Sequence, residues 1–152
     1  MALLSHDRTL QRDLSSVLVA KMEIVCCVSK QHPLAGKKVV DFSELSDVAL
    51  VLFKDSFFQT EELKRRFARA GIAPNIVLQT DQLSTLKGIL ASNAAAGFMF
   101  RANVQMDKDI VGIPLKEPVY ALVSLAWSKG VPLTEPMEKM KDYICSAFGG
   151  QA

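Results

Sequence analysis

Residues 48–80 read VALVLFKDSFFQTEELKRRFARAGIAPNIVLQT, and this stretch decides the fold. Residues 48–53 form an apolar run of strand length, as expected of a strand covered on both faces. Ser56 and Gln59 then stand at capping-box spacing, the serine accepting from an orphan amide and the glutamine reaching back. Leu63, Phe67 and Ala70 follow at helical spacing. Gly71 sits where a left-handed C-terminal residue is wanted, and Pro74 prevents continuation. Residues 75–79 alternate, with Ile76 and Leu78 on the face opposite Val77, which predicts a second strand.

Outward from this strand–helix–strand core the same alternation continues. Thr80 or Asp81 caps a second helix whose apolar stripe is Leu83, Leu86, Ile89 and Leu90. Ala94-Ala95-Ala96-Gly97 ends it, and Phe98-Met99-Phe100 begins a short strand. On the other side, residues 17–28 are valine-rich and read as one long strand or two strands in line. His32-Pro33 and Gly36-Lys37-Lys38 punctuate the chain, and residues 41–45 look like a single helical turn. Residues 2–4 suggest a short buried strand, 6–16 a polar loop and 109–115 a further strand. Residues 119–127 alternate, with Val119, Ala121, Val123, Leu125 and Trp127 on one face. Thr134 caps a last helix with Pro136 in its first turn, Met137, Met140, Ile144 and Phe148 on its buried side, and Gly149-Gly150 at its end. Strands alternating with helices predict an α/β fold with a largely parallel sheet.

A chain of 152 residues, 49% of them apolar, can pack one domain, or one domain and part of another. Eighteen basic against sixteen acidic residues leave a net charge of +2, which is not the basic stripe a nucleic-acid binder needs. The densest basic run, Lys64, Arg65, Arg66 and Arg69, is offset by Glu61 and Glu62 and reads as a solvated helix face. His6, Asp7 and Arg8 interrupt the N-terminus before any signal-peptide core, and no apolar run approaches the roughly 18 residues of a membrane span. Cys26, Cys27 and Cys145 have neither disulfide nor zinc spacing and read as buried thiols of a reducing cytoplasm.

Catalytic motifs are absent: no GxSxG, HExxH, P-loop or GxGxxG occurs. His32, before Pro33, reads as a turn residue, and His6 has no paired carboxylate in sequence. No enzyme, metal site or cofactor is expected. The remaining chemistry is that of helix N-termini. Two helices start directly after strands, near 56–60 and 80–82, and such termini offer free amides and partial positive charge to anions.

The order of these signals resembles the effector-binding domain of LysR-type transcriptional regulators. The residues that carry the likeness are EIVCCVSKQHPLA (23–35), the turn at 41–45, the strand at 48–53, and the helix ending in Arg69-Ala70-Gly71-Ile72-Ala73-Pro74. Ala95-Ala96-Gly97-Phe98-Met99-Phe100 is similar to the family's VAAGxGI segment, with Phe100-Arg101 standing where the family has Leu-Pro. The resemblance implies a type 2 periplasmic-binding-protein-like α/β fold. Residues 22–118 would be one complete subdomain, and residues 1–21 and 119–152 parts of a second. It implies that a helix-turn-helix DNA-binding domain belongs to the whole regulator and that this chain itself does not bind DNA. A solute-binding protein of a transporter is the alternative on the same fold.

The resemblance also implies a small-molecule effector in a cleft lined by Ser5 and His6 and by Ser56, Phe57, Phe58, Gln59 and Thr60. Thr80, Asp81, Phe98 and Phe100 complete that set. Asp81 argues against a strongly anionic effector unless it faces away. A homodimer or higher oligomer is expected, with no membrane association.

Overall fold

Ile24, Cys26 and Val28 are fully buried on one face of the second strand, and Val25 and Cys27 are fully buried on the other. A strand covered on both sides needs layers above and below it, and those layers organise this part of the protein. The computed structural model describes residues 1–6 and 12–148. Its elements are β1 (Ala2–His6), β2 (Leu14–Ser29), β3 (Ala49–Phe53), α1 (Phe58–Arg69), β4 (Asn75–Thr80), α2 (Leu83–Ala91), β5 (Ala96–Phe100), β6 (Ile110–Ile113), β7 (Val119–Ser128) and α3 (Glu135–Phe148). Single 3-10 turns occupy Pro33–Gly36, Phe42–Leu45 and Arg101–Asn103. The chain forms two compact units, Glu23–Val119 and the pair Met1–Met22 with Tyr120–Ala152.

In the unit Glu23–Val119 the strand order is β2-β5-β3-β4, with β6 on the free side of β2. β3 is parallel to both β4 and β5, whereas β2 runs antiparallel to β5 and β6. The sheet is therefore mixed, and the expectation of a largely parallel one holds only for β5-β3-β4. Crossover helices link β3 to β4 and β4 to β5; β2 enters β3 through the turns Pro33–Gly36 and Phe42–Leu45 without one, and so runs opposite to β3 and β5.

Alternation along β3 feeds both layers. Leu50 and Leu52 face α1, where Leu63 and Phe67 pack with Phe42 and Phe98. Val51 and Phe53 face α2, where Leu86 and Leu90 pack with Met99, Val104 and Ile110. Leu63 and Phe67 are 0% exposed, and burial of each such side chain is worth about 1.5–3 kcal/mol. Gly97 lets β5 and β3 approach, since a Cβ there would lie 2.8 Å from the Val51 carbonyl oxygen.

Local chemistry agrees with several expectations. Gly71 ends α1 with φ +73°, and the side chain of His32 accepts from the amide of Leu34 to close the turn at Pro33. Two expectations change. The capping box lies at Asp41 and Glu44, around the turn Phe42–Leu45, and not at Ser56 and Gln59. The β4 register slips between Leu50 and Val51, so Val77 is passed over in the pairing and both Val77 and Leu78 stay exposed.

In the second unit β1 lies antiparallel to β7, from Ala2 against Ala126 to His6 against Leu122. Val19, Ala20, Ala121, Leu125 and Ala126 are buried there, and Lys21 Nζ lies 4.1 Å from the centre of the Tyr120 ring. β1 is a strand as expected but not a buried one: Leu3 is 54% exposed. No residue of α3 is fully buried. Met140 and Phe148, expected inside, are exposed, because the one side of α3 that meets this unit covers Met137 and Ile144 only in part. Part of the predicted loop 6–16 and the predicted stop at Gly149-Gly150 lie outside the described residues.

Candidate functional site

Phe53, the last residue of β3, pairs with Thr80, the last residue of β4, and the amide of Lys54 donates to the Thr80 carbonyl at 2.9 Å. The two strands therefore end side by side, and α1 and α2 begin at the same edge of the sheet, one on each face. The strand order turns at β3: its own crossover leads to β4 on one side, and the next returns to β5 on the other. Open α/β sheets leave a crevice beyond the carboxyl ends of their strands at such a point. Phe100, the last residue of β5, stands at that same edge because β5 is parallel to β3.

The start of α1 is anchored and left open for hydrogen bonding. Phe57 is the N-cap residue, in extended conformation, with no side-chain cap. Thr60 is fully buried and its hydroxyl donates to the Phe53 carbonyl at 3.0 Å. Gln59 is buried beside it, Phe58 is half-buried, and Ser56 and Phe57 are exposed. The Phe57 ring stacks on Phe53 at 5.0 Å. Helix amides that no side chain caps remain available to a ligand. Ser56 is thus freed from the capping role expected of it.

At α2 the N-cap residue is Gln82, again without a side-chain cap. Thr80 does not cap the helix. Its hydroxyl oxygen accepts from the Gln82 amide at 3.1 Å, which shapes the turn leading into it. Asp81 does not cap it either: its carboxylate pairs with Lys54 Nζ at 2.6 Å, which holds its pKa below the usual range and offsets its charge. The objection that Asp81 raised against an anion is met by this partner.

Sequence reasoning missed the polar frame around these ends. Asp55 accepts from Lys64 Nζ at 2.6 Å and from Gln79 Nε2 at 2.7 Å, and both bonds hold its carboxyl below the usual carboxylate range. Lys54 and Asp55 directly follow a buried strand, and charges placed there are the signal that could have pointed to them.

Phe98 belongs elsewhere. It is 1% exposed and its ring lies 6.2 Å edge-on from Phe67 and 6.4 Å stacked from Phe42, so it serves the core and not the open edge. Its position in β5 alternates with Met99, and the face it takes is the α1 face. Arg101 is held by Glu23, with Nε 2.7 Å from the carboxylate. Ser5 and His6 lie in the other unit: Ser5 is exposed, and His6 Nε2 is 2.9 Å from Ser124 Oγ. Among the described residues, no three His, Cys, Asp or Glu side chains gather as a metal site, and no helix is long and apolar enough to cross a membrane.

The architecture is that of the type 2 periplasmic-binding-protein-like α/β domains. Residues 1–148 match the LysR substrate binding domain, and the chain belongs to that family. The HTH-type transcriptional regulator YybE of Bacillus subtilis is 24% identical over 127 residues, covering 83% of this chain and 44% of YybE. The chain thus spans less than half the length of that relative. The regulatory domain of CcmR from Synechocystis PCC6803, solved in complex with 2-PG, superposes with a TM-score of 0.86 at 17% identity, covering 96% of this chain and 72% of that one. The effector binding domain of QuiR, solved in complex with shikimate, gives 0.83 at 19% identity, covering 97% of this chain and 71% of that one. The relatives are regulators, not transporter solute-binding proteins.

Proposed function

We propose that this chain senses a small polar metabolite for a LysR-type transcriptional regulator, with no catalysis. The observation that carries this reading is the pair of helices, α1 and α2, that start uncapped at the adjacent carboxyl ends of β3 and β4. Their free amides, the Ser56 hydroxyl and the exposed Phe57 ring supply hydrogen bonds and an apolar wall to one ligand. Gln59, Thr60 and Thr80 are buried supports that hold the two helix starts in place. Two family members of the same fold hold 2-PG and shikimate, and the ligand class is carried over from them.

The chain works in the cytoplasm and reaches DNA through a helix-turn-helix domain of the whole regulator, not by itself. A gel shift at about 0.15 M salt is expected to show no preference for one duplex over its scrambled form. Self-association is expected through β4 and α2, where Val77, Leu78 and Leu83 are exposed beside a sheet edge.

The test is a titration of the chain with small carboxylate and phosphate metabolites, 2-PG and shikimate among them, followed by amide chemical shifts. A binding metabolite is expected to move the amides of Phe58, Gln59 and Leu83 first and to raise the melting temperature with concentration. Saturable shifts confined to α3 would overturn the reading.

A further inference from the structure

A cavity of about 110 Å³ opens at the other end of α1, between its last turn, the turn at Phe42 and the segment that follows β6. Arg66, Arg69 and Lys116 line it together with Asp41 and Glu117, over a floor formed by Phe42 and Ala70. The three cations differ in how far they are committed. Lys116 pairs with Asp41 at 3.0 Å, and Asp41 also accepts from the amide and hydroxyl of Ser43, so that carboxylate is fully engaged. Arg66 gives its Nε to Glu62 at 2.8 Å and reaches Glu117 only at 3.4 Å. Arg69 has no ion-pair partner among the described residues.

Neither arginine is needed to cap the helix. Backbone amides of Ala70, Gly71 and Ile72 already satisfy the carbonyls of Arg66, Ala68 and Phe67. Glu117 is the loosest member of the group, with its side chain 77% exposed and a single long contact. It stands beside the Arg66 guanidinium, where an anion would, without being fixed there.

We propose that this cavity binds a small free oxyanion of the phosphate type, which displaces Glu117 and is held by Arg66, Arg69 and Lys116. Forked guanidinium donors from successive turns of one helix suit a tetrahedral oxyanion, and the volume admits one such group. The site is distinct from the open edge at β3 and β4, so the two can be tested separately.

The experiment titrates the chain with inorganic phosphate at pH 7.5 and low salt, against chloride at equal ionic strength to remove screening. Amide shifts that saturate at Phe42, Arg66, Arg69 and Ala70 are expected. Arg69→Gln is expected to weaken the apparent affinity and Glu117→Gln to strengthen it, each by roughly two- to fivefold, the size of one exposed charge. Ala70→Leu, which fills the floor without changing charge, is expected to abolish the saturable shifts. If the group is only a surface clasp, Glu117→Gln lowers stability and leaves phosphate shifts linear. That result, shifts centred on Phe58–Thr60, or equal affinity in all three variants would overturn the proposal.

Discussion

The hydroxyl of Thr60 donates to the carbonyl of Phe53 over 3.0 Å, in the interior, and so fastens the first turn of α1 to the end of β3. Removing that donor while keeping the volume isolates its contribution. Thr60→Val is expected to cost about 1–2 kcal/mol, because the buried Phe53 carbonyl loses its 3.0 Å hydroxyl donor and the longer contact from the Gln79 side-chain amide, at 3.3 Å, does not replace it. Thr60→Ser keeps the bond and is expected to lose less. Urea unfolding of both variants checks the order; a Val variant as stable as the wild type would show that packing alone sets the helix start.

The two phenylalanines Phe57 and Phe98 separate binding from stability. Phe98→Ala is expected to cost about 3–5 kcal/mol, since it empties a space between Phe42 and Phe67. Phe57 is 38% exposed, and Phe57→Ala is expected to leave the melting temperature nearly unchanged while weakening any metabolite that shifts the Phe58 amide. The opposite ranking in thermal melts would count against both assignments.

His32 makes stability depend on pH. Its Nδ1 accepts from the Leu34 amide at 3.1 Å and so must be unprotonated, and partial burial lowers its pKa below 6.5. Between the folded value and 6.5 the unfolded chain binds more protons, so stability is full above 6.5 and falls as pH drops through the folded value. His32→Asn keeps an acceptor in the same place. It is expected to flatten that part of the profile in denaturant titrations between pH 7.5 and 5, and an unchanged slope would contradict the assignment to His32.

The thiols should divide by burial. Desolvation pushes the Cys26 thiol up to about 12 and raises Cys27 further still, with the neighbouring Cys26 adding to it. Cys145 is half-exposed on α3 and departs from the expectation that all three are buried. An aromatic disulfide reagent at pH 8 is expected to label Cys145 in the native chain and to reach Cys26 and Cys27 only after unfolding. Rapid labelling of all three would mean that β2 opens readily.

Much of the unit Glu23–Val119 was legible because periodicity and punctuation agree there. Leu63 and Phe67 fall on one helical face, Gly71 and Pro74 stop the helix, and the run Ala49–Phe53 is apolar on both faces. What could not be read is what depends on partners distant in sequence. Ser56/Gln59 and Asp41/Glu44 share the same spacing, and only tertiary packing buries Gln59 while leaving Glu44 free to reach the Asp41 amide. The bulge at Val77 is a property of the pairing with Leu50 and Val51, not of β4 alone. Phe98 and Phe100 look alike in the sequence, yet Phe98 is enclosed by Phe42 and Phe67, whereas Phe100, at the end of its strand, packs against the same core only in part.

The division of the chain has a consequence for how it is made. Every strand neighbour that β3 and β5 need is synthesised before Val119, whereas β1 pairs with β7, which is made after all of them. His6 and Ser124, joined by a hydrogen bond in the finished protein, are 118 residues apart along the chain. Closing so long a loop is slow compared with the local pairings. Pulsed hydrogen exchange during refolding is expected to protect amides of β5 before those of β1, and simultaneous protection would contradict this order. Until β7 has been made, β1 waits as an unmatched hydrogen-bonding edge, open to pairing with other chains.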